Sequence, residues 1–218
     1  VKKIIKNKLK DICISVSNEV SPEIREYERI STTLCNAYVQ PLVSKYLNKL
    51  VVEQKKINLS SELSLMLSSG GITDIQTAID YPINLVESGP AAGVLSAIYY
   101  GNQINEKNIL SFDMGGTTAK MGLIKDGKPT VSDHFEIGRV HRFKKGSGLP
   151  VKIPTIELIE IGAGGGSIAH VDELGLLKVG PESAGADPGP ACYENGNNSP
   201  TVTDANLVLG IINPDNFL

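Results

Sequence analysis

Phe112-Asp113-Met114-Gly115-Gly116-Thr117-Thr118 reads as a strand that runs into a glycine pair and then into two hydroxyl-bearing residues. Glycines directly after a strand let the chain turn, and they let a ligand approach the main chain with no Cβ in the way. Successive N–H groups in such a turn point inward and form a concavity that suits an anion. Thr117 and Thr118 add hydroxyl donors. Asp113, at the strand end, is placed to hold Mg²⁺ through water, as divalent ions on nucleotide phosphates require. A tight hairpin with a capping aspartate would need only part of this string. The whole pattern, strand-Asp-x-Gly-Gly-Thr-Thr-strand, points to a phosphate cradle. It is not a P-loop, because no GxxxxGK[ST] occurs in the chain, and not a dinucleotide fingerprint, because a strand follows the glycines.

Outward from this turn, residues 108–113 are expected as a buried strand and 118–124 as a second one. Asp126-Gly127 supplies a hairpin turn to a third. On the N-terminal side the pattern gives a basic helical tail over 1–11, a strand over 12–16, and a helical turn opened by Ser21-Pro22-Glu23. Apolar residues at helical spacing over 34–50 are interrupted by Pro41. A strand carrying Leu63, Leu65 and Leu67 ends at Gly70-Gly71. Thr73 or Asp74 caps a short helix, residues 83–86 form a short strand, and Ser88 caps a helix that Gly101 ends. On the C-terminal side, 139–152 is basic and turn-rich and reads as a mobile surface loop. Residues 155–161 form a strand cut off by Gly162-Ala163-Gly164-Gly165-Gly166, 167–171 its return strand, and 180–200 a long irregular segment. Thr203-Asp204 caps a last helix ended by Gly210. Strands and helices alternate, so the class is α/β. The expected organisation is a mainly helical lead-in over 1–60 packed on an α/β core over 61–218.

Bulk properties narrow the function. The 218 residues suffice for a real core, and a net charge of −3 gives no electrostatic case for nucleic acid. Residues 1–60 hold 11 Lys/Arg against 6 Asp/Glu, a basic helical surface facing solvent or another piece of the protein. No apolar run reaches the roughly 20 residues that span a bilayer. Cys13, Cys35 and Cys192 are scattered, which fits reduced thiols and a cytoplasmic location. The chain starts at Val1 and stops at Leu218 with no obvious terminal element, which suggests a fragment of a longer polypeptide.

Other candidates stand beside the turn. Three glycines in a row, Gly164, Gly165 and Gly166, followed by Ser167, imply close backbone approach either to a nucleotide or to another strand-turn. Residues 87–93, small and at a helix start, suit an anion but also close packing. Cys192 lacks a linked histidine base and reads as a buried thiol rather than a nucleophile. Asp204 and Asn206 leave room for a polar contact to a ligand beyond helix capping.

The strings ESGPAAG (87–93), FDMGGTTAK (112–120), IGAGGGSIA (161–169), VGPESAGADPGPACY (179–193) and TVTDANLVLG (201–210) follow one another as they do in the hydantoinase A / 5-oxoprolinase family, which the chain resembles over essentially its whole length. The resemblance implies an actin-like ATPase (ribonuclease H-like) fold, present here in part, with a β-hairpin phosphate motif. It implies ATP and Mg²⁺ as cofactors, and hydrolysis of a cyclic amide of hydantoin or 5-oxoproline type by phosphorylation of the carbonyl oxygen. It further implies a B-type subunit or domain as partner and an oligomeric full-length form. Related subunits serve acetone and acetophenone carboxylases, the first alternative; a truncated, partner-binding module is the second. The residues expected to act are Asp113, Lys120 and Asp204 in catalysis, with Asp113 at the metal. Gly115, Gly116, Thr117 and Thr118, then Gly164, Gly165, Gly166 and Ser167, are expected at the nucleotide. Many members of the family carry Asp where this chain has Lys120. The family's N-terminal part, with its own Asp-x-Gly-Gly-Thr turn, is not in this chain.

Overall fold

The computed structural model describes residues 1–9, 12–138, 140 and 146–216. In chain order the elements are α1 (Lys2–Lys8), α2 (Ser17–Val20), α3 (Glu26–Lys56), β1 (Ser64–Met66), β2 (Ile72–Asp74), α4 (Ile75–Asp80), α5 (Ser88–Gln103), β3 (Ile109–Met114) and β4 (Ala119–Lys125). Then follow β5 (Lys128–Pro129), β6 (Val131–Ser132), β7 (Phe135–Ile137), β8 (Leu149–Val151), β9 (Thr155–Ile156), β10 (Leu158–Ile161), β11 (Ser167–Val171), β12 (Leu177–Ser183) and α6 (Val202–Val208). They divide into two compact units, one of residues 1–107 and 125–157, the other of 108–124 and 158–218. None of the described helices is long and apolar enough to cross a membrane.

The first unit is built around α3. Its buried face is polar: Ser31, Thr32, Asn36 and Gln40 are buried, with Leu47 the one large apolar residue among them. Each polar group is matched, as burial demands. Ser31 Oγ donates to the Pro150 carbonyl (2.5 Å), and Thr32 Oγ1 accepts from the Lys152 N–H (2.8 Å). Asn36 Nδ2 donates to Ser15 Oγ and the Asp80 carbonyl, while its Oδ1 accepts from the Ile83 N–H. Ile30, Leu34, Tyr38, Leu42 and Tyr46, spaced every four residues, lie on the exposed side. Val20, Ile83, Val151 and Ile153 form the apolar core beside α3, with Cys35, Tyr81, Phe135 and Ile137 packed on it.

Several expectations change here. Residues 12–16 form no strand. The helix opens at Glu26, not at Ser21, and runs through Pro41 without a break. Residues 82–85 form a 3-10 turn rather than a strand, because Pro82 sets its first position and Asn36 takes up the Ile83 N–H. Glu87, in the left-handed region (φ 61°), takes the cap position before Ser88, and α5 continues past a buried Gly101. Asp74 caps α4 as expected, accepting from the Thr77 N–H at 2.9 Å. Of the segment 139–152, residues 139 and 141–145 lie outside the described residues; its end forms β8, antiparallel to β7.

In the second unit β10, β4 and β3 form an antiparallel sheet in that order. Residues 155–161 are thus not one strand. β9 pairs with β6 in the first unit, while β10 pairs with β4. β11 does not return along β10; it pairs with β12, which extends to Ser183. β3 is not buried. Leu110, Phe112 and Met114, with Leu123, Ile159 and Ile161 of the neighbouring strands, make one exposed apolar face. The other face carries Ser111, Gly122 and Leu158 in one row and Asp113, Lys120 and Glu160 in the next.

Candidate functional site: two glycine turns and the first turn of α6

β3 and β4 pair from Ile109↔Ile124 to Met114↔Ala119, so residues 115–118 are the tip of the hairpin. The Gly115 N–H donates to the Thr118 carbonyl (2.9 Å) and closes it. Among the described residues nothing accepts from the N–H groups of Gly116, Thr117 or Thr118, and the two threonine hydroxyls and the Asp113 carboxylate make no hydrogen bond. Asp113, Gly115, Gly116 and Thr117 are exposed. A Cβ built on Gly116 would meet nothing within 4 Å, and one on Gly115 would touch only the Thr118 carbonyl at an ordinary 3.6 Å. Neither glycine has a left-handed φ. The described fold therefore asks for glycine at neither position.

The second glycine turn is the reverse case. A Cβ on Gly164 would come within 2.7 Å of Gly115 O and of the Gly116 carbonyl group. The Gly165 N–H donates to Gly115 O (2.9 Å) and the Gly166 N–H to Gly116 O (2.8 Å). The Gly164 N–H donates to Ser167 Oγ (2.9 Å), and the Ser167 N–H to Gly164 O (3.0 Å). All four amides of 164–167 are spent inside the protein. The strand-turn that this run approaches is the turn of β3 and β4.

A third segment backs the second. Thr201 caps α6 through a capping box with Asp204, two positions before the expected cap at Thr203-Asp204. The T-x-x-D spacing signals such a box in the sequence. Thr203 is thereby freed, and both its N–H and its Oγ1 donate to the Gly165 carbonyl at 2.9 Å. Asp204 accepts from Cys192 N (2.7 Å), Ala191 N (3.2 Å), Thr201 N (2.7 Å) and Thr201 Oγ1 (2.8 Å). Four donors fill the roughly four lone-pair sites of a carboxylate. Asp204 thus holds the 190–193 segment to α6. Burial alone would raise its pKa, but hydrogen bonds from Cys192 and Thr201 outweigh it and hold the group at about 2. Burial, reinforced by Asp204, pushes the Cys192 thiol up to about 11, which agrees with an unreactive thiol.

Lys120 stands opposite Asp113 on β4 and opposite Glu160 on β10. Sequence reasoning missed Glu160, because nothing in 155–161 announces which strand it pairs with. Among the described residues no three His, Cys, Asp or Glu converge on a point. In the first unit, of the small residues of 87–93 Ala91 is buried, whereas Gly89 is exposed and a Cβ on it would meet nothing within 4 Å.

A β-hairpin turn with open glycines and free amides, set in a mixed α/β fold, is the arrangement of the actin-like ATPase class. Residues 29–218 match the family described as Hydantoinase/oxoprolinase, and the chain belongs to that family. It is 49% identical over 96% of its length to the uncharacterized protein MJ0964 of Methanocaldococcus jannaschii and 35% identical over 96% to the caprolactamase subunit alpha of Pseudomonas jessenii. It spans 31% and 29% of those two proteins, less than a third of either. Among solved structures, a nucleotide-free acetone carboxylase matches 99% of this chain, and 29% of its own, at a TM-score of 0.72 and 28% identity. The ATP-dependent caprolactamase of P. jessenii matches 96%, and 29% of its own chain, at 0.70 and 35% identity.

Proposed function

We propose that Gly115, Gly116, Thr117 and Thr118 take the phosphates of Mg-ATP, and that the chain is the part of an ATP-dependent cyclic amide hydrolase that carries this turn. One observation carries the reading: two glycines that the described fold does not require lie beside three undonated amides. Space and donors left over at one tip are what an anion needs. The residues fit the group. The amides of residues 116–118 and the two hydroxyls would hold phosphate oxygens, and Asp113 would hold Mg²⁺ through water. Bound Mg-ATP would supply a phosphoryl group able to activate an amide carbonyl toward water. The protein's share is to fix the turn before the ligand arrives, and the hydrogen bonds from Gly165 and Gly166 do that. Residues 164–167, expected at the nucleotide, support the turn through the amides of Gly165 and Gly166.

An amide substrate is supported by relatives named caprolactamase subunit alpha and 5-oxoprolinase, the latter from Saccharomyces cerevisiae, at 35% and 34% identity. A carboxylase subunit is the second reading, supported by the acetophenone carboxylase gamma subunit at 33% and the TM-score of 0.72. Several relatives are named as subunits, which supports a partner subunit for the longer protein.

Calorimetric titration with Mg-ATP tests the site. Wild type is expected to bind and Asp113→Ala to bind about ten-fold more weakly, in a Mg²⁺-dependent manner. Equal binding by Asp113→Ala at all Mg²⁺ concentrations would remove Asp113 from the site. Lactam-stimulated against bicarbonate-stimulated ATP turnover, in the longer protein, separates the two substrate readings.

A further inference from the structure

We propose that Thr203 is a positioning residue for the phosphate turn, acting through Gly165; the inference rests on the nucleotide reading of residues 115–118. The chain of contacts is short. Thr203 N and Oγ1 both donate to Gly165 O at 2.9 Å, and the Gly165 N–H donates to Gly115 O at 2.9 Å. One peptide beyond, the Gly166 N–H holds Gly116 O at 2.8 Å. The turn's own closing bond, Gly115 N to Thr118 O, restrains only its base. Its carbonyl side is therefore held from outside, and the segment that holds it is seated on the first turn of α6.

The chemistry of the arrangement favours this role over a purely structural one. A carbonyl that accepts two donors is polarised, and polarisation along a hydrogen-bonded chain strengthens the next bond. The peptide joining Gly165 and Gly166 is such a link, with Thr203 on its carbonyl oxygen and Gly116 O on its N–H. Carbonyls at 115 and 116 drawn toward 165 and 166 leave the amides of 116 and 117, each trans to one of them, directed away, where an anion would sit. Thr203 itself is only half-buried, and both its N–H and its hydroxyl go to Gly165. The capping of α6 falls to Thr201 and Asp204, so helix formation does not require the Thr203 hydroxyl.

The test compares wild type with Thr203→Val, Thr203→Ala and Thr203→Ser. It reads Mg-ATP affinity together with amide hydrogen exchange at Gly165 and Gly166 in the absence of nucleotide. The expected result is about a ten-fold loss of affinity in the Val and Ala variants, the worth of about one well-placed hydrogen bond. Exchange at both amides should accelerate in parallel, and Thr203→Ser should behave as wild type in both assays. Unchanged exchange in the Val and Ala variants overturns the proposal, because the two glycine turns are then held without Thr203. Weakened affinity with unchanged exchange also overturns it, since Thr203 would then touch the ligand directly. A serine variant as poor as valine overturns it too, by placing the effect in the methyl group. Wild type that fails to bind Mg-ATP sinks the nucleotide reading, and the inference with it, while the exchange data still report whether Thr203 holds the turn.

Discussion

Asp113 and Lys120 are direct partners across β3 and β4, with Glu160 the partner of Lys120 on its other side. Directly opposed residues of adjacent strands share a face and stand roughly 5 Å apart at Cβ. The lysine that departs from the family's usual acid thus sits between two carboxylates, one of them at the base of the phosphate turn. A positive charge in that row offsets repulsion that an aspartate would increase.

Replacing Lys120 by Asp would therefore place three acids in register. We expect Lys120→Asp to lower stability by about 1 kcal/mol and Lys120→Met by less, since like charges directly opposed are unfavourable and the methionine is neutral. Urea unfolding at low and high salt checks the cause. The gap between the two variants should narrow in 1 M salt, where the screening length falls to about 3 Å. A gap that salt does not change would show that charge is not its source.

The two glycine turns make opposite predictions. Gly116→Ala adds a methyl group into open space and should leave the thermal midpoint within about 2 °C of wild type, while weakening Mg-ATP binding about ten-fold or more. Gly164→Ala drives a Cβ to 2.7 Å from main-chain atoms of Gly115 and Gly116, which cannot move aside as a flexible side chain could. It should cost about 2–3 kcal/mol, in the range of overpacked cores. Thermal unfolding and calorimetry on both variants decide it. A Gly116→Ala protein that binds as wild type would reopen the function of the turn.

How much of this could be read in advance differs from residue to residue. Residues 112–118 announce their strand, turn and strand because the hairpin closes between near neighbours in the chain. The run at 164–166 announces a close approach but not to what, since the partner lies some 50 positions away in the chain. Residues 155–161 look like one strand because alternation records which face is apolar, not which neighbour is hydrogen-bonded. Pro41 suggests a break in α3, yet the helix passes through it, and a buried Gly101 lies inside α5 where a terminus is expected. In these places tertiary packing overrode propensity.

The polar seat of α3 was hidden for the same reason. The apolar spacing over 34–50 does not mark the inward face: the ridge of Ile30, Leu34, Tyr38 and Leu42 is exposed, and the structure buries Thr32, Asn36 and Gln40. Asn36→Ala should cost about 2–4 kcal/mol, because it strands the Ile83 N–H and takes from the Asp80 carbonyl one of its two donors, as well as removing packing. Tyr38→Ser, on the exposed side, should cost less than about 0.5 kcal/mol in this chain. Chemical denaturation of both variants measures the contrast; equal losses would mean that the ridge is covered.

Asp204 and Cys192 set a linked pair of expectations. The Asp204 pKa falls from 3.8 to about 2 on folding, so its contribution is present above pH 4 and is lost as pH falls toward 2. Asp204→Asn should flatten the stability profile across that window, which urea midpoints at pH 2.5, 4 and 7 would reveal. The same substitution removes the negative charge that reinforces burial in holding the Cys192 thiol near 11. Alkylation by iodoacetamide at pH 8, followed by mass spectrometry, should label exposed Cys13 first and Cys192 last in wild type. In Asp204→Asn, labelling of Cys192 should quicken while Cys13 stays constant. A Cys192 that labels as fast as Cys13 in wild type would mean that the 190–193 segment is not held against α6, and the latch assigned to Asp204 would fail with it.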